Sequence, residues 1–355
     1  MPTLVVTGVS SGLGLTSLTL LLQHLTSASP ALPRWRIFAG HRATLSGKAD
    51  KLGALAAAHP ERVELVWLPL DLRDKGSVED FARRIKEEHG VESVEVVLLN
   101  AALWTSELRT LEWAGEKWAE EAVVNHLAQQ HLLSLLLPLL ETAASSTPLA
   151  APPPRIIYTT SALYSSIFSL DDLPALLGPF SASNGEAMTG STGKQRYAAS
   201  KLASLVSACA LQESFASRSL AIDVSAVSPG FVPTTALSRE SSALGRWAMR
   251  NLLSWAPFAV SEDKGARRIL RALPPSLYPP PSSASTAEDP LTALLSARRA
   301  SRQPQQVVYL SGSSSATLED VSTALGGPLG AALERAKTRS EGDEGGEEWQ
   351  RVKGA

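Results

Sequence analysis

Tyr197 and Lys201 stand four residues apart in the run Tyr-Ala-Ala-Ser-Lys. On a helix, positions i and i+4 share a face, so a phenol and an ammonium can enter one site. A neighbouring positive charge favours the phenolate and would lower a tyrosine from its ordinary value of about 10. A tyrosine tuned in this way can give a proton to a carbonyl oxygen or take one from an alcohol. The pattern is short, and taken alone it reads more simply as a helix start with a solvated lysine.

The opening of the chain offers different chemistry. Thr3 to Leu15 runs Thr-Leu-Val-Val-Thr-Gly8-Val-Ser10-Ser11-Gly12-Leu13-Gly14-Leu, an apolar strand, a glycine turn and a helix start. Glycine permits a tight turn and a close backbone approach. The helix start behind it presents free N–H groups and a positive dipole end, where a pyrophosphate can sit. That is how Rossmann-type sheets bind dinucleotides. A glycine turn between strand and helix is also ordinary α/β construction, so the rest of the chain has to agree.

It does so in alternation. Strands are expected at 35–40, 63–68, 94–99, 155–160, 220–227 and 306–310, after the first at 3–6. Helices are expected at 13–25, 45–58, 77–88, within 113–143, and at 197–217, 237–255 and 262–272. This order predicts a single doubly wound α/β domain, a seven-stranded parallel sheet flanked by helices. It would span 1–335, with insertions at about 162–195 and 274–290 and a charged, frayed tail at 336–355.

Composition narrows the function. With 355 residues, 44% of them hydrophobic, and a formal net charge of −2, nothing points to a nucleic-acid partner. The single cysteine, Cys209, excludes an internal disulfide and fits a reducing compartment. The six histidines are scattered and show no metal-ligand spacing. No basic leader precedes Thr3, and the longest apolar run, Leu132 to Leu140, is shorter than the ~20 residues a span needs. A cytoplasmic protein is expected.

Further signposts follow in one order: Asn100-Ala101-Ala after the fourth strand, Asn125 in Val-Val-Asn-His-Leu, Ser161 after the fifth strand, Tyr197/Lys201, and Pro229-Gly230-Phe-Val232-Pro-Thr234. Together with the glycine turn they resemble the short-chain dehydrogenase/reductase family over nearly the whole chain to about Leu310. The resemblance implies a catalytic set. Tyr197 would be the general acid/base, with Lys201 as its tuner and ribose ligand. Ser161 would bind the substrate oxygen, and Asn125 would anchor a water in a proton path. It also implies a cofactor site. Gly8, Ser10, Ser11, Gly12, Leu13 and Gly14 would cradle the pyrophosphate, Asp71 and Leu72 the adenine, and Asn100 and Ala101 the adenosine ribose. Pro229, Gly230, Val232 and Thr234 would hold the carboxamide.

An acid at the end of the second strand would bind a free ribose 2′-OH and repel a phosphate. Here the chain reads Gly40-His41-Arg42, and Arg42, helped by His41, can pair a phosphate. NADP(H) is therefore expected over NAD(H).

The stretch between Ser161 and Tyr197 is longer than the family usually has. With Asn-His-Leu around Asn125 and Phe168-Ser-Leu-Asp, it resembles the branches of retinol dehydrogenases, WW-domain oxidoreductases, protochlorophyllide reductases and sterol 3-keto reductases. Those branches imply a small lipophilic substrate, a sterol ketone or retinoid, and a place in lipid or steroid metabolism. Trp247, Leu252, Leu253, Trp255 and Phe258 could form an apolar lid that, with Arg246 and Arg250, also suits peripheral membrane contact, or simply an amphipathic helix packed on the sheet. The resemblance further implies a homodimer contact through the helix of about 116–143 and the Tyr197 helix. Leu132, Leu133, Leu136 and Leu137 would supply apolar area for that contact or for the core. Reduction of a C=C bond, and a non-catalytic dinucleotide-binding scaffold, are the competing functions.

Overall fold

The computed structural model describes residues 1–27, 32–42, 47–146, 152–167, 172–181, 185–232, 259–278, 308–311 and 314–317. Its centre is strand β1 (Thr3–Val6), buried at all four positions. Burial on both faces is what a central strand of a parallel sheet experiences. The chain continues through α1 (Gly12–Ser27), β2 (Trp35–His41), α2 (Gly47–Ala57), β3 (Val63–Pro69), α3 (Lys75–Arg83) and β4 (Val96–Leu99). A hairpin of β5 (Thr110–Trp113) and β6 (Glu116–Ala119) leads into α4 (Glu120–Ala122), a π-turn at Val123–Leu127, and α5 (Ala128–Ser146). Then come β7 (Arg155–Thr159), a 3-10 turn at Ala162–Ser166, α6 (Leu173–Leu177), α7 (Gly185–Gly190), α8 (Gly193–Ser217), β8 (Asp223–Ser228), α9 (Glu262–Leu270), β9 (Val308–Ser311) and β10 (Ser314–Thr317).

The main sheet has the order β10-β9-β8-β7-β4-β1-β2-β3. β1 lies parallel between β2, with Val6 opposite Ala39, and β4, with Val6 opposite Leu98. Strand order therefore reverses between β1 and β4. In such sheets the crevice at the carboxyl ends beside this switch is where ligands bind. Two apolar layers cover the sheet. Leu18, Leu22, Leu52 and Ile269 pack α1, α2 and α9 on one face. Phe81, Leu132, Leu136 and Leu205 pack α3, α5 and α8 on the other.

Four features correct or complete the sequence expectation. Among the described residues the main sheet holds eight strands instead of seven, because β10 turns back antiparallel onto β9. Within 113–143 the helical stretch begins at Glu120, after a positive-φ pair, Ala114 and Gly115, turns the chain into the β5–β6 hairpin, which the sequence reading did not include. The 162–195 stretch is no plain loop, since it carries the 3-10 turn, α6 and α7. Of the two roles left open for them, Leu132, Leu133 and Leu136 take the core, leaving Leu135 as the 37% exposed leucine of α5. The segment expected to form the lid and its Trp247, Leu252, Leu253, Trp255, Phe258, Arg246 and Arg250 lie outside the described residues, as do Phe168, most of 274–290 and the tail at 336–355. No helix among the described residues is long and apolar enough to cross a membrane.

Candidate active site

The glycine turn is closed by contacts that leave no room for side chains. Gly8 has φ 71°, in the left-handed region that favours glycine. A Cβ there would lie 2.5 Å from Ala101 Cα, and one on Gly14 would lie 2.1 Å from Gly8 O. Asn100 then ties three strand ends together. Its Nδ2 donates to Thr7 O and Gly8 O, both at 3.2 Å, and its Oδ1 accepts from Thr159 Oγ1 at 3.3 Å. The backbone N–H groups of Asn100 and Ala101 both donate to Thr7 Oγ1 at 3.0 Å. The start of α1 thus sits over the switch point, with Ser10, Ser11, Gly12 and Leu13 half-buried around it. Free N–H groups at that helix start, with no side chain in the way, fit a pyrophosphate.

A second wall comes from the segment after β8. Gly230 has φ 88°, and a Cβ on it would meet Arg268 Nη1 at 2.4 Å. That same guanidinium donates to Pro229 O at 3.0 Å. A Cβ on Gly265 would lie 2.9 Å from Val232 and 3.1 Å from Leu13. Thr16 Oγ1 reaches Glu262 Oε1 at 2.6 Å. Helix α9 therefore joins the glycine turn to the Pro229–Val232 segment. Nothing in the sequence around Gly265 and Arg268 signals that role. Thr234 lies outside the described residues.

At the adenosine end the structure is looser. His41 closes β2 and meets Trp67 edge-on, ring centres 6.2 Å apart. Arg42 is exposed and forms no ion pair among the described residues. Asp71 Oδ1 accepts from Arg73 N at 3.0 Å, so its carboxylate shapes the turn after β3, and Leu72 is buried beside it.

The Tyr197 end of the site is built on α8. Thr192 and Gln195 form a capping box that starts this helix at Gly193, one turn before Tyr197. Tyr197 is 4% exposed and Lys201 2%, so the solvated-lysine reading does not hold. The lysine Nζ lies 5.7 Å from the centre of the phenol ring and donates to Thr159 O at 2.9 Å. Ser161 caps the 3-10 turn, and its side chain hydrogen-bonds the phenol.

The direction of tuning is the reverse of the one expected from the sequence. Burial pushes the Tyr197 phenol up to about 12, against a smaller lowering by the Ser161 hydrogen bond. Burial also brings the Lys201 ammonium down to about 8. Desolvation disfavours the charged form of each group and is the largest cause of both shifts.

Asn125 sits in the π-turn and acts as a bracket. Its Oδ1 accepts from Leu103 N at 2.7 Å, and its Nδ2 donates to Leu103 O at 2.9 Å and Ser200 Oγ at 3.0 Å. Ser200 in turn donates to Tyr197 O at 2.7 Å. The structure thus brings Asn125, Ser161, Tyr197 and Lys201 together at the ends of β4 and β7. Ser200 joins them from inside the Tyr-Ala-Ala-Ser-Lys run, where a serine one turn from the tyrosine was its only signal. Trp104 lies flat on Tyr197, ring centres 5.5 Å apart and planes 18° apart.

Neighbouring groups are quieter. Burial holds the His126 imidazole down to about 4, hence neutral. Cys209 is pushed up to about 12 by burial and by Glu213, which leaves it an unreactive thiol. No group of side chains that could hold a metal occurs among the described residues.

No protein-family model matches the chain. A short-chain dehydrogenase/reductase of Pestalotiopsis microspora is 30% identical over 270 residues, 76% of this chain and 81% of the relative. A short-chain dehydrogenase of Sordaria araneosa is 31% identical over 148 residues, 41% of this chain and 40% of its own length. Among solved structures, NADPH-bound carbonyl reductase from chicken fatty liver aligns with TM-score 0.50 and 22% identity, covering 75% of this chain and 88% of that one. At that identity the likeness speaks for the fold.

Proposed function

The chain belongs to the short-chain dehydrogenase/reductase family, and from that membership we propose that it is an NADPH-dependent oxidoreductase that reduces the carbonyl of a small lipophilic molecule of sterol or retinoid bulk. One observation carries the reading: a buried phenol, hydrogen-bonded by Ser161 and one helical turn from a buried ammonium, opens beside the switch point of a parallel sheet. The glycine turn would hold the pyrophosphate, and the Pro229–Val232 segment would border the nicotinamide. Bound NADPH would supply the hydride to the carbonyl carbon. Tyr197, protonated at neutral pH, would give its proton to the carbonyl oxygen, and Ser161 would donate a hydrogen bond to that oxygen as charge develops. Lys201 would then face the tyrosinate left behind. Its positive charge, largely retained at pH 7 with a value of about 8, opposes the cost of that buried anion.

The preference for NADPH rests on Arg42 and His41 at the end of β2 and on the lack of an acid there. The lipophilic substrate rests on the apolar Trp104 face beside Tyr197 and on the likeness to the sterol and retinoid branches. Calorimetric titration with NADPH and, separately, NADH, followed by a carbonyl panel with Tyr197→Phe as control, tests the reading. Tight NADPH binding, weaker NADH binding and turnover that Tyr197→Phe abolishes are expected. Binding of neither nucleotide would overturn it, nucleotide binding without turnover on any carbonyl would favour the scaffold function, and a product reduced at C=C would overturn the carbonyl assignment.

A further inference from the structure

Behind Tyr197 lies a buried ion pair that proton transfer does not itself require. Glu121 and Arg196 have side chains 0% and 1% exposed, with Arg196 Nε 3.3 Å from Glu121 Oε2. A buried pair is weak evidence for stability, because desolvation offsets the attraction and an apolar pair often serves as well. Its partners indicate a different use. Glu121 Oε1 accepts from the hydroxyl of Thr105 at 2.5 Å and from its N–H at 3.2 Å. Arg196 Nη2 donates to Thr105 O at 3.4 Å, and Nη1 to Ser191 O at 2.8 Å. Thr105 is thereby gripped at three polar groups, while Asn125 grips Leu103 at two. Trp104 stands between them. Gly193 makes room for this loop: a Cβ there would lie 1.8 Å from Thr105 O and 2.9 Å from Trp104 Nε1. With its backbone held at both neighbours, the indole stacks on the Tyr197 ring.

We infer that Trp104 is a positioning residue for Tyr197, held in place by Glu121 and Arg196 through Thr105, and that its indole fixes the phenol's direction and keeps water from one of its faces. The inference rests on Tyr197 being the proton donor of the proposed reaction. The groups facing the phenol are Ser161 from the end of β7 and Lys201 from α8, with Glu121 of α4 and Arg196 one layer behind.

The test compares wild type, Trp104→Leu, which keeps apolar bulk but no ring, Trp104→Phe, which keeps a ring, and Glu121→Gln. The first readout needs no cofactor: tyrosinate absorbance against pH, taken as the difference from the same protein carrying Tyr197→Phe. Trp104→Leu should lower the Tyr197 midpoint toward its ordinary value by at least half a pH unit, and Trp104→Phe should restore most of the shift. In turnover, Trp104→Leu should lower kcat about tenfold or more with the NADPH Kd within about twofold, and Glu121→Gln should fall between it and wild type. Equal midpoints in wild type and Trp104→Leu would overturn the inference. So would loss of kcat in Trp104→Phe as large as in Trp104→Leu. If Trp104→Leu does not fold, Glu121→Gln decides alone: an unmoved midpoint and kcat overturn the inference. Absence of turnover in wild type would sink the ketoreductase reading, yet the absorbance titration would still decide whether Trp104 positions Tyr197.

Discussion

The two ends of the site are held by very different means. Around Tyr197, Leu103 and Thr105 on the loop after β4 are held by buried side chains, Leu103 by Asn125, which also binds Ser200, and Thr105 by Glu121 and Arg196. Around Arg42 the same sheet ends in an exposed guanidinium with no ion pair among the described residues. Proton transfer needs a donor fixed to a fraction of an ångström before the substrate arrives. Recognition of a phosphate tolerates a flexible cation that closes on its ligand. The contrast is between a phenol held among buried side chains and an exposed guanidinium at the end of β2.

The sharpest way to break this comparison is at the rigid end. Tyr197→Phe removes one oxygen from a site whose other groups are held independently. A general acid is worth ~10²–10⁴-fold, so kcat should fall by about a thousandfold while NADPH binds as before. Single-turnover rates beside calorimetric Kd values would show the split. If Tyr197→Phe weakened NADPH binding as much as turnover, the phenol would be a cofactor clamp and not the acid.

Next in size is Gly14→Ala. The added methyl would stand 2.1 Å from Gly8 O and 2.5 Å from Asn100 Nδ2, neither of which can yield without moving β1 or the end of β4. We expect NADPH affinity to drop by about a hundredfold and the fold to lose about 2–3 kcal/mol, within the range for overpacking a rigid site. Thermal melting with and without NADPH measures both effects. Gly47→Ala in α2, where a methyl meets nothing within 4 Å, is the matched control and should change neither.

The sequence showed most of this because the relevant signals are local. The glycine spacing, the apolar alternation and Tyr197/Lys201 each operate within a few residues, and the structure assembles them at one switch point. The β5–β6 hairpin was not legible, since Trp113-Ala-Gly-Glu-Lys-Trp118 looks like a helix approach until Ala114 takes a positive φ. The pair Glu121–Arg196 was illegible for another reason. A glutamate and an arginine on helices normally read as solvated, and only the fold places both against Thr105. The direction of the Tyr197 shift also failed, because i, i+4 spacing reports a neighbouring charge but not the depth of burial.

Burial of Lys201 supplies a smaller effect with a definite sign. Its folded value, about 8, lies below the 10.5 of an unfolded lysine. Between those two values the unfolded chain binds more protons than the folded one, so stability rises with pH across that window and the burden of a buried cation is greatest below it. Tyr197 acts oppositely only above its ordinary value of 10.0, where the unfolded phenol ionises first. The cofactor-free protein should therefore gain a few degrees in Tm between about pH 7.5 and 9.5. Lys201→Met should flatten that rise. A wild-type Tm that falls steadily over the same interval would mean that Lys201 is solvated or paired in solution.

The smallest effect belongs to the loose end. Arg42 is exposed, so its pairing with a ribose 2′-phosphate is partly screened and worth only ~1–1.5 kcal/mol. Arg42→Ala should thus weaken NADPH by about tenfold, leave NADH within about twofold, and leave the Tyr197 midpoint unchanged. The effect should shrink further as salt rises, because an exposed ion pair is screened over about 8 Å at physiological ionic strength. Calorimetry with both nucleotides at low and high salt reads all of this. Equal losses for NADPH and NADH would place Arg42 on the pyrophosphate instead. No loss for either would leave His41, in edge contact with Trp67, as the residue at that strand end to substitute next.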